Sequence, residues 1–191
     1  MGTSNIFVGG KELVNYTSST DKLSLTSSVN FPAGHILQCQ FKKKTNAFSD
    51  TGSSGFTPYA VTGLDCKITP TDANSKIIII YHVFMGNSDA INYNFYHALY
   101  KSATGITNGY VGASSNNSSG GFNIYTPSGA NMFQGGSVVI NLDTAGTTNE
   151  ITYQPYIGAN DANATVYINR KGSSSSVVGT SEVICMEVSN G

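Results

Sequence analysis

Charge is what this sequence has least of. Asp, Glu, Lys and Arg make up 11% of its 191 residues, well under the roughly 25% usual in a soluble domain, and the net charge is -1. With no basic stripe, the counterion release that drives nucleic-acid binding has little to act on, so nucleic acid is not expected as a partner. Long apolar runs are missing too. The longest, Ile77 to Tyr81, is far too short to span a bilayer, and Met1 to Gly10 has no basic segment leading into an apolar one. These features predict a soluble chain with no signal peptide and no membrane contact. Cysteine is scarce: Cys39, Cys66 and Cys185 are odd in number and widely spaced. That argues against a disulfide framework or a clustered zinc site and predicts buried free thiols.

Helical periodicity is absent as well, since no segment of helical length keeps apolar residues at i, i+3, i+4 and i+7. Ser, Thr, Asn and 21 Gly fill the space left by charge, while 11 Tyr, 9 Phe and repeated Val/Ile runs supply the apolar area that a disordered chain lacks. Period-2 or continuous β-branched runs recur between turn-forming clusters. They predict strands at Ile36 to Lys42, Thr57 to Thr62, Leu64 to Ile68, Lys76 to Met85, Asn92 to Tyr100, Gly121 to Tyr125, Ser137 to Leu142, Ile151 to Ile157, Thr165 to Asn169 and Ser181 to Val188. Ten strands of this kind suit an all-β antiparallel sandwich of two packed sheets. The low-complexity loop Ser114 to Gly121 reads as an exposed loop tip.

Residues 1 to 30 differ from the rest. Ile6, Phe7 and Val8, then Leu13 and Val14, are too few for an independent core, so this stretch reads as an extended N-terminal arm that anchors the domain, residues 31 to 191, to another surface. A second feature also points outward. Along Lys76 to Met85 one face carries Ile77, Ile79, Tyr81, Val83 and Met85, and the other carries Ile78, Ile80, His82 and Phe84. A strand apolar on both faces needs cover on its outer side, from an arm or from another subunit, and Ile78, Ile80, His82 and Phe84 are expected to form an interface between copies. In the next stripe, Ile91, Tyr93, Phe95, His97 and Leu99 read as core and the opposite face, Asn92, Asn94, Tyr96 and Ala98, as more polar. Lys42, Lys43 and Lys44, the one basic cluster, either solvate a strand end or meet an acidic partner surface.

Chemistry finds little support. His35, His82 and His97 have no nucleophile elbow near them in sequence, and most Asp and Glu residues sit at turns, where backbone reasons favour them. Asp161 with Asn160 and Asn163 is a poor approximation to a calcium loop. No cofactor, metal or catalytic residue is expected, and the chain is read as not an enzyme.

Several short motifs in matching order resemble a β-sandwich family of bacteriophages, notably of cyanobacteria and marine bacteria, described as fibre-like or virion structural proteins. They are Phe31-Pro32-Ala33-Gly34-His35-Ile36-Leu37-Gln38, Thr62-Gly63-Leu64, Ile68-Thr69-Pro70, Ser75-Lys76-Ile77-Ile78-Ile79, Ile151-Thr152-Tyr153, Val166-Tyr167-Ile168-Asn169-Arg170 and Thr180 to Glu187. The resemblance covers the chain from residue 30 onward. It implies a jelly-roll domain forming homotrimers in the virion after assembly in the host cytoplasm. The brevity of the chain then favours a capsid decoration, cement or head-fibre protein whose arm binds the major capsid protein or another virion protein. The alternative is a tail-fibre domain that binds a host-surface glycan.

Overall fold

The computed structural model describes residues 3–17, 20, 22–25, 31–51, 58–87, 93–111, 123–126, 134–159, 165–171 and 174–190. Two of the sequence features, the Ser114 to Gly121 loop and the Asn160, Asp161 and Asn163 cluster, lie outside them. The chain divides into two compact units, one of residues 1–35 with 189–191 and one of residues 36–188.

In the first unit, β1 (Thr3–Val8), β2 (Lys11–Thr17) and β3 (Lys22–Leu25) form a three-stranded antiparallel sheet in that order. The segment is thus a meander, where an extended arm was expected. Its first turn is Gly9-Gly10, with φ of 60° and 79°, the pair of left-handed residues that a tight two-residue hairpin demands and glycine adopts without a Cβ clash. Ile6, Phe7 and Val8 are exposed, whereas Leu13 and Val14 are half-buried. At the end of this unit Ser189 ties the chain into the Phe31 to His35 turn. The Gly34 amide donates to the Ser189 carbonyl at 2.9 Å, the Ser189 amide to that of His35 at 2.8 Å, and the Phe31 and His35 rings stack 4.5 Å apart.

The second unit holds all ten predicted strands, several of them longer or shorter than the pattern alone implied. They are accompanied by four short strands. In chain order these are β4 (Ile36–Lys44), β5 (Phe48–Thr51), β6 (Tyr59–Ala60), β7 (Cys66–Ile68), β8 (Lys76–Asn87), β9 (Tyr93–Ala103), β10 (Gly109–Tyr110), β11 (Asn123–Thr126), β12 (Gln134–Thr144), β13 (Ile151–Ala159), β14 (Thr165–Ile168), β15 (Arg170–Lys171), β16 (Ser174–Val178) and β17 (Ser181–Val188). One sheet runs β4-β17-β8-β12, with β14 and β5 continuing from the far end of β8. The other runs β7-β13-β9-β11, with β6 beside β13 and β10 beside β9. Every pairing is antiparallel, and numbering the eight principal strands in sequence gives the orders 1-8-3-6 and 2-7-4-5, the two interlocked Greek keys of a jelly roll.

Between the sheets lies the core. Ile77, Ile79, Tyr81, Val83, Val183 and Cys185 from one sheet face Leu99, Ile151, Tyr153 and Ile157 from the other. His97 is fully buried there, its Nδ1 3.1 Å from the Tyr81 hydroxyl. All three cysteines are free. Cys66 and Cys185 are buried, and the hydrogen bond with Cys66 together with burial holds the Cys185 thiol protonated. Cys39 is exposed, against expectation, because β4 is an edge strand and residue 39 lies on its outward face.

Two buried polar groups close the ends of the sandwich. Asn169 ends β14 at φ 59°. Its Nδ2 donates to the Lys44 and Asn46 carbonyls, its Oδ1 accepts from Ser181 Oγ, and its amide donates to the Phe84 carbonyl. One residue, through its side chain and its backbone amide, thereby ties together four segments, and a side-chain amide tolerates the left-handed backbone better than most side chains. Glu187, also fully buried, accepts from Gln38 Nε2 at 2.6 Å and from the Thr71 amide and hydroxyl at 2.8 and 2.7 Å. Burial pushes its carboxyl up, but these bonds and one from Ser75 outweigh it and hold the group below its ordinary value.

Replacing Asn169 with Ala removes the three side-chain bonds and leaves a methyl side chain in a left-handed backbone. Denaturant unfolding is expected to show a loss of about 3 kcal/mol or more. A second prediction concerns pH. Burial, and then the charge of His82, lower the His97 pKa from 6.5 to about 4. The unfolded chain therefore binds a proton that the folded one refuses between those values. The contribution is present above pH 6.5 and is lost as pH falls towards 4, by up to about 3 kcal/mol. Unfolding of wild type and His97→Gln across this interval should show the steeper decline only in wild type.

Candidate interaction surface

Residues directly opposite one another in an antiparallel sheet share a face, so the register of the β4-β17-β8-β12 sheet lays out its outer surface row by row. One row is Leu142, Ile78, Met186 and Cys39, and the next is Ile140, Ile80, Ile184 and Phe41. These two rows cross all four strands without a charge. On one side follow Val138, His82, Glu182 and Lys43, and on the other Thr144, Lys76, Val188 and Ile36. Lys43 pairs with Glu182 at 3.1 Å and Lys76 donates to the Thr144 hydroxyl at 2.7 Å, so hydrogen-bonded polar side chains border the apolar rows on both sides.

The apolar side chains are open. Val138, Ile140 and Leu142 on β12 are 65%, 68% and 67% exposed, and Phe41 and Ile36 on β4 are 57% and 51%. Ile78 and Ile80, in the middle of the sheet, are half-buried by their neighbours alone. At strand spacings of about 4.8 Å and about 6.8 Å between alternate residues, the patch measures roughly 20 Å by 20 Å. That is as large as the biggest apolar patch of an ordinary monomer. An apolar centre with a polar rim is the anatomy of a protein–protein interface.

Of the four β8 residues predicted for an interface, two sit differently from the others. The His82 ring lies over Gly136, where an added Cβ would meet Nε2 at 2.1 Å, and the Phe84 ring lies over Gly179, where a Cβ would meet the ring at 2.4 Å. Both glycines let an aromatic ring lie flat and be half-covered by its own chain. Ile78 and Ile80 have only open aliphatic neighbours, so the unsatisfied apolar area centres on them and on β12.

The opposite sheet behaves differently. Tyr100, Tyr110 and Tyr156 pack together on its outer side with centroids 5.1 to 6.1 Å apart, Tyr110 edge-on to the other two and Tyr100 tilted against Tyr156, and the Tyr96 ring lies across Gly158. Tyr96 and Ala98, expected on a more polar face, are as buried as the core stripe behind them. Large rings cover this sheet from its own side chains.

The lysine cluster is divided by the pleat of β4. Lys43 points outward to Glu182, while Lys44 is buried, its Nζ 3.0 Å from Asn46 Oδ1 and 5.8 Å from the Phe48 ring centroid. Burial lowers its pKa. Lys44 is therefore a structural residue and not part of a basic contact patch, which leaves Lys42 and Lys43 exposed. His35 is exposed against Phe31, and among the described residues no three His, Cys, Asp or Glu side chains cluster as metal ligands. Also among the described residues, no helix is long and apolar enough to cross a membrane.

No family model and no curated protein matches the chain. The phage-family resemblance therefore stands on the short motifs alone. Among solved structures, the chain is similar to those of infectious bursal disease virus. For the Gt strain the identity is 12% and the TM-score 0.30, over 87% of this chain and 44% of that one. For the Gx strain the values are 10% and 0.30, over 97% and 45%. For the VP2 subviral particle of the same virus they are 14% and 0.28, over 93% and 52%. The chain spans about half the length of the chains it is similar to, and a likeness this slight carries no argument; the architecture rests on the strand order and register above.

Proposed function

We propose that the chain is a non-enzymatic virion structural protein that assembles as a homotrimer, each copy turning the outer face of its β4-β17-β8-β12 sheet toward its neighbours. The observation that carries this reading is the pair of uncharged rows Leu142-Ile78-Met186-Cys39 and Ile140-Ile80-Ile184-Phe41, on a sheet with no second layer over it among the described residues of its own unit. Fully burying a large aliphatic side chain is worth about 1.5 to 3 kcal/mol, so cover from a like surface is strongly favoured. The number three comes from the sequence resemblance, which also supplies the virion setting.

The N-terminal unit supports a second part of the reading, that it attaches the trimer to a larger surface such as the capsid or another virion protein. Its sheet has a single layer, and Ile6, Phe7 and Val8 are exposed in succession on β1. Three strands are near the smallest sheet that is stable alone, and only with a hydrophobic face. Three such units on one trimer would convert a weak contact into stable attachment.

Sedimentation of the full chain at micromolar concentration should give a trimer, and Ile140→Asp should give a folded monomer, since that side chain is exposed within one copy. A monomeric wild type, or an Ile140→Asp chain that remains trimeric, would remove the assignment of this face. For the attachment, Phe7→Asp should leave the trimer intact and abolish its recovery on purified particles. Normal occupancy would move the anchor elsewhere.

A further inference from the structure

A crevice of about 260 Å³ opens where β9 and β10 of one sheet approach the end of β12 in the other, lined by Lys101, Thr107, Gly109, Val111, Leu142 and Asp143 together with Tyr110. Its polar groups are unevenly used. Lys101 Nζ donates to Asp143 Oδ2 at 2.6 Å and to the carbonyls of Thr144 and Ala145 at 2.6 and 3.0 Å. All three of its donors are engaged. The Tyr153 hydroxyl donates to the same Asp143 Oδ2 at 2.7 Å, so the carboxylate is held in one orientation while its Oδ1 has no partner among the described residues. The Thr107 hydroxyl likewise has none. At Gly109 nothing lies within 4 Å of the point a Cβ would occupy, which keeps the crevice open, and Val111 adds aliphatic wall.

From this we infer that the crevice binds one ring of a neutral saccharide, with Asp143 Oδ1 accepting from ring hydroxyls, Thr107 exchanging a hydrogen bond with another, and Val111 against the C–H face. Charge decides the ligand class. An anion would meet the Asp143 carboxylate, with no free ammonium to offset it because Lys101 has spent its donors. A cation would meet the Lys101 ammonium on the same carboxylate. An apolar molecule would leave Oδ1 and Thr107 unsatisfied, at a cost that polar sites do not tolerate. A neutral polyol suits all of these groups, and the volume, just below that of sites for drug-sized ligands, fits a single sugar ring. This goes beyond the assembly reading and does not rest on it.

The test is an NMR titration of the full chain with glucose, galactose and N-acetylglucosamine, read at the amides of Gly109 and Val111, with glucuronate and glucosamine as charged counterparts of the same ring. At least one neutral sugar should shift these signals saturably, and both charged rings should bind at least about tenfold more weakly. Gly109→Val, which fills the crevice, and Thr107→Val, which removes only a hydroxyl, should each reduce binding about tenfold or more. Ile140→Asp should retain it, so the two readings fail separately. No response to any neutral sugar, equal or tighter binding of a charged ring, or unchanged affinity in Thr107→Val would overturn the assignment.

Discussion

A strand that is apolar on both faces can bury only one of them in a two-layer sandwich. In β8 the inward face goes to the core through Ile77, Ile79, Tyr81, Val83 and Met85, each almost fully buried. The outward face has β12 and β17 beside it and nothing above it among the described residues of its own unit. Neighbouring strands cannot solve the problem, because Ile140, Leu142, Ile184 and Met186 add apolar area to the same face. Aliphatic side chains stand up from a sheet and cover little beyond themselves. Tyrosine reaches further, which is why the opposite sheet closes its own outer surface over Ala98 and Gly158 while this one stays open.

The few charges and buried amides are placed where the ladders end. Asn169 joins β14, β8 and the ends of β4 and β17. Glu187 joins β17 and β4 to the turn at Thr71, and Asp143 joins β12 to β9 and β13 through Lys101 and Tyr153. Each sits where backbone hydrogen bonds run out and a side chain must satisfy what the sheet cannot. A chain with so little charge spends part of it inside, and its outer surface is left to hydroxyls, amides and open aliphatic rows. Such a surface repels like copies only weakly, which suits close packing of many subunits.

Much of this could be read from the residues in order. Period-2 runs and turn clusters locate the strands because pleating is a local property, and the doubly apolar β8 shows in the sequence that a face is left over. The rest depends on pairing. That β12 lies at a sheet edge, so that Val138, Ile140 and Leu142 open to solvent, follows only from the Greek-key order. Lys44 reads as the end of a basic run, yet the pleat turns it inward to Asn46 and the Phe48 ring. The crevice is assembled from residues about 40 positions apart, with no spacing to announce it. The N-terminal meander had a local signal, the Gly9-Gly10 pair between two short runs carrying Ile6-Phe7-Val8 and Leu13-Val14, that a reading based on the scarcity of apolar residues passes over.

Cys39 stands within the uncharged row opposite Met186 and is exposed, whereas Cys66 and Cys185 are buried. It is a native reporter of whether the face is covered. The alkylation rate of Cys39 in the 191-residue chain, measured across a dilution series from micromolar to nanomolar, should rise as copies separate, with the buried thiols reacting only after denaturation. A Cys39 rate that is high and constant across the series would show that the face stays open and contradict the account.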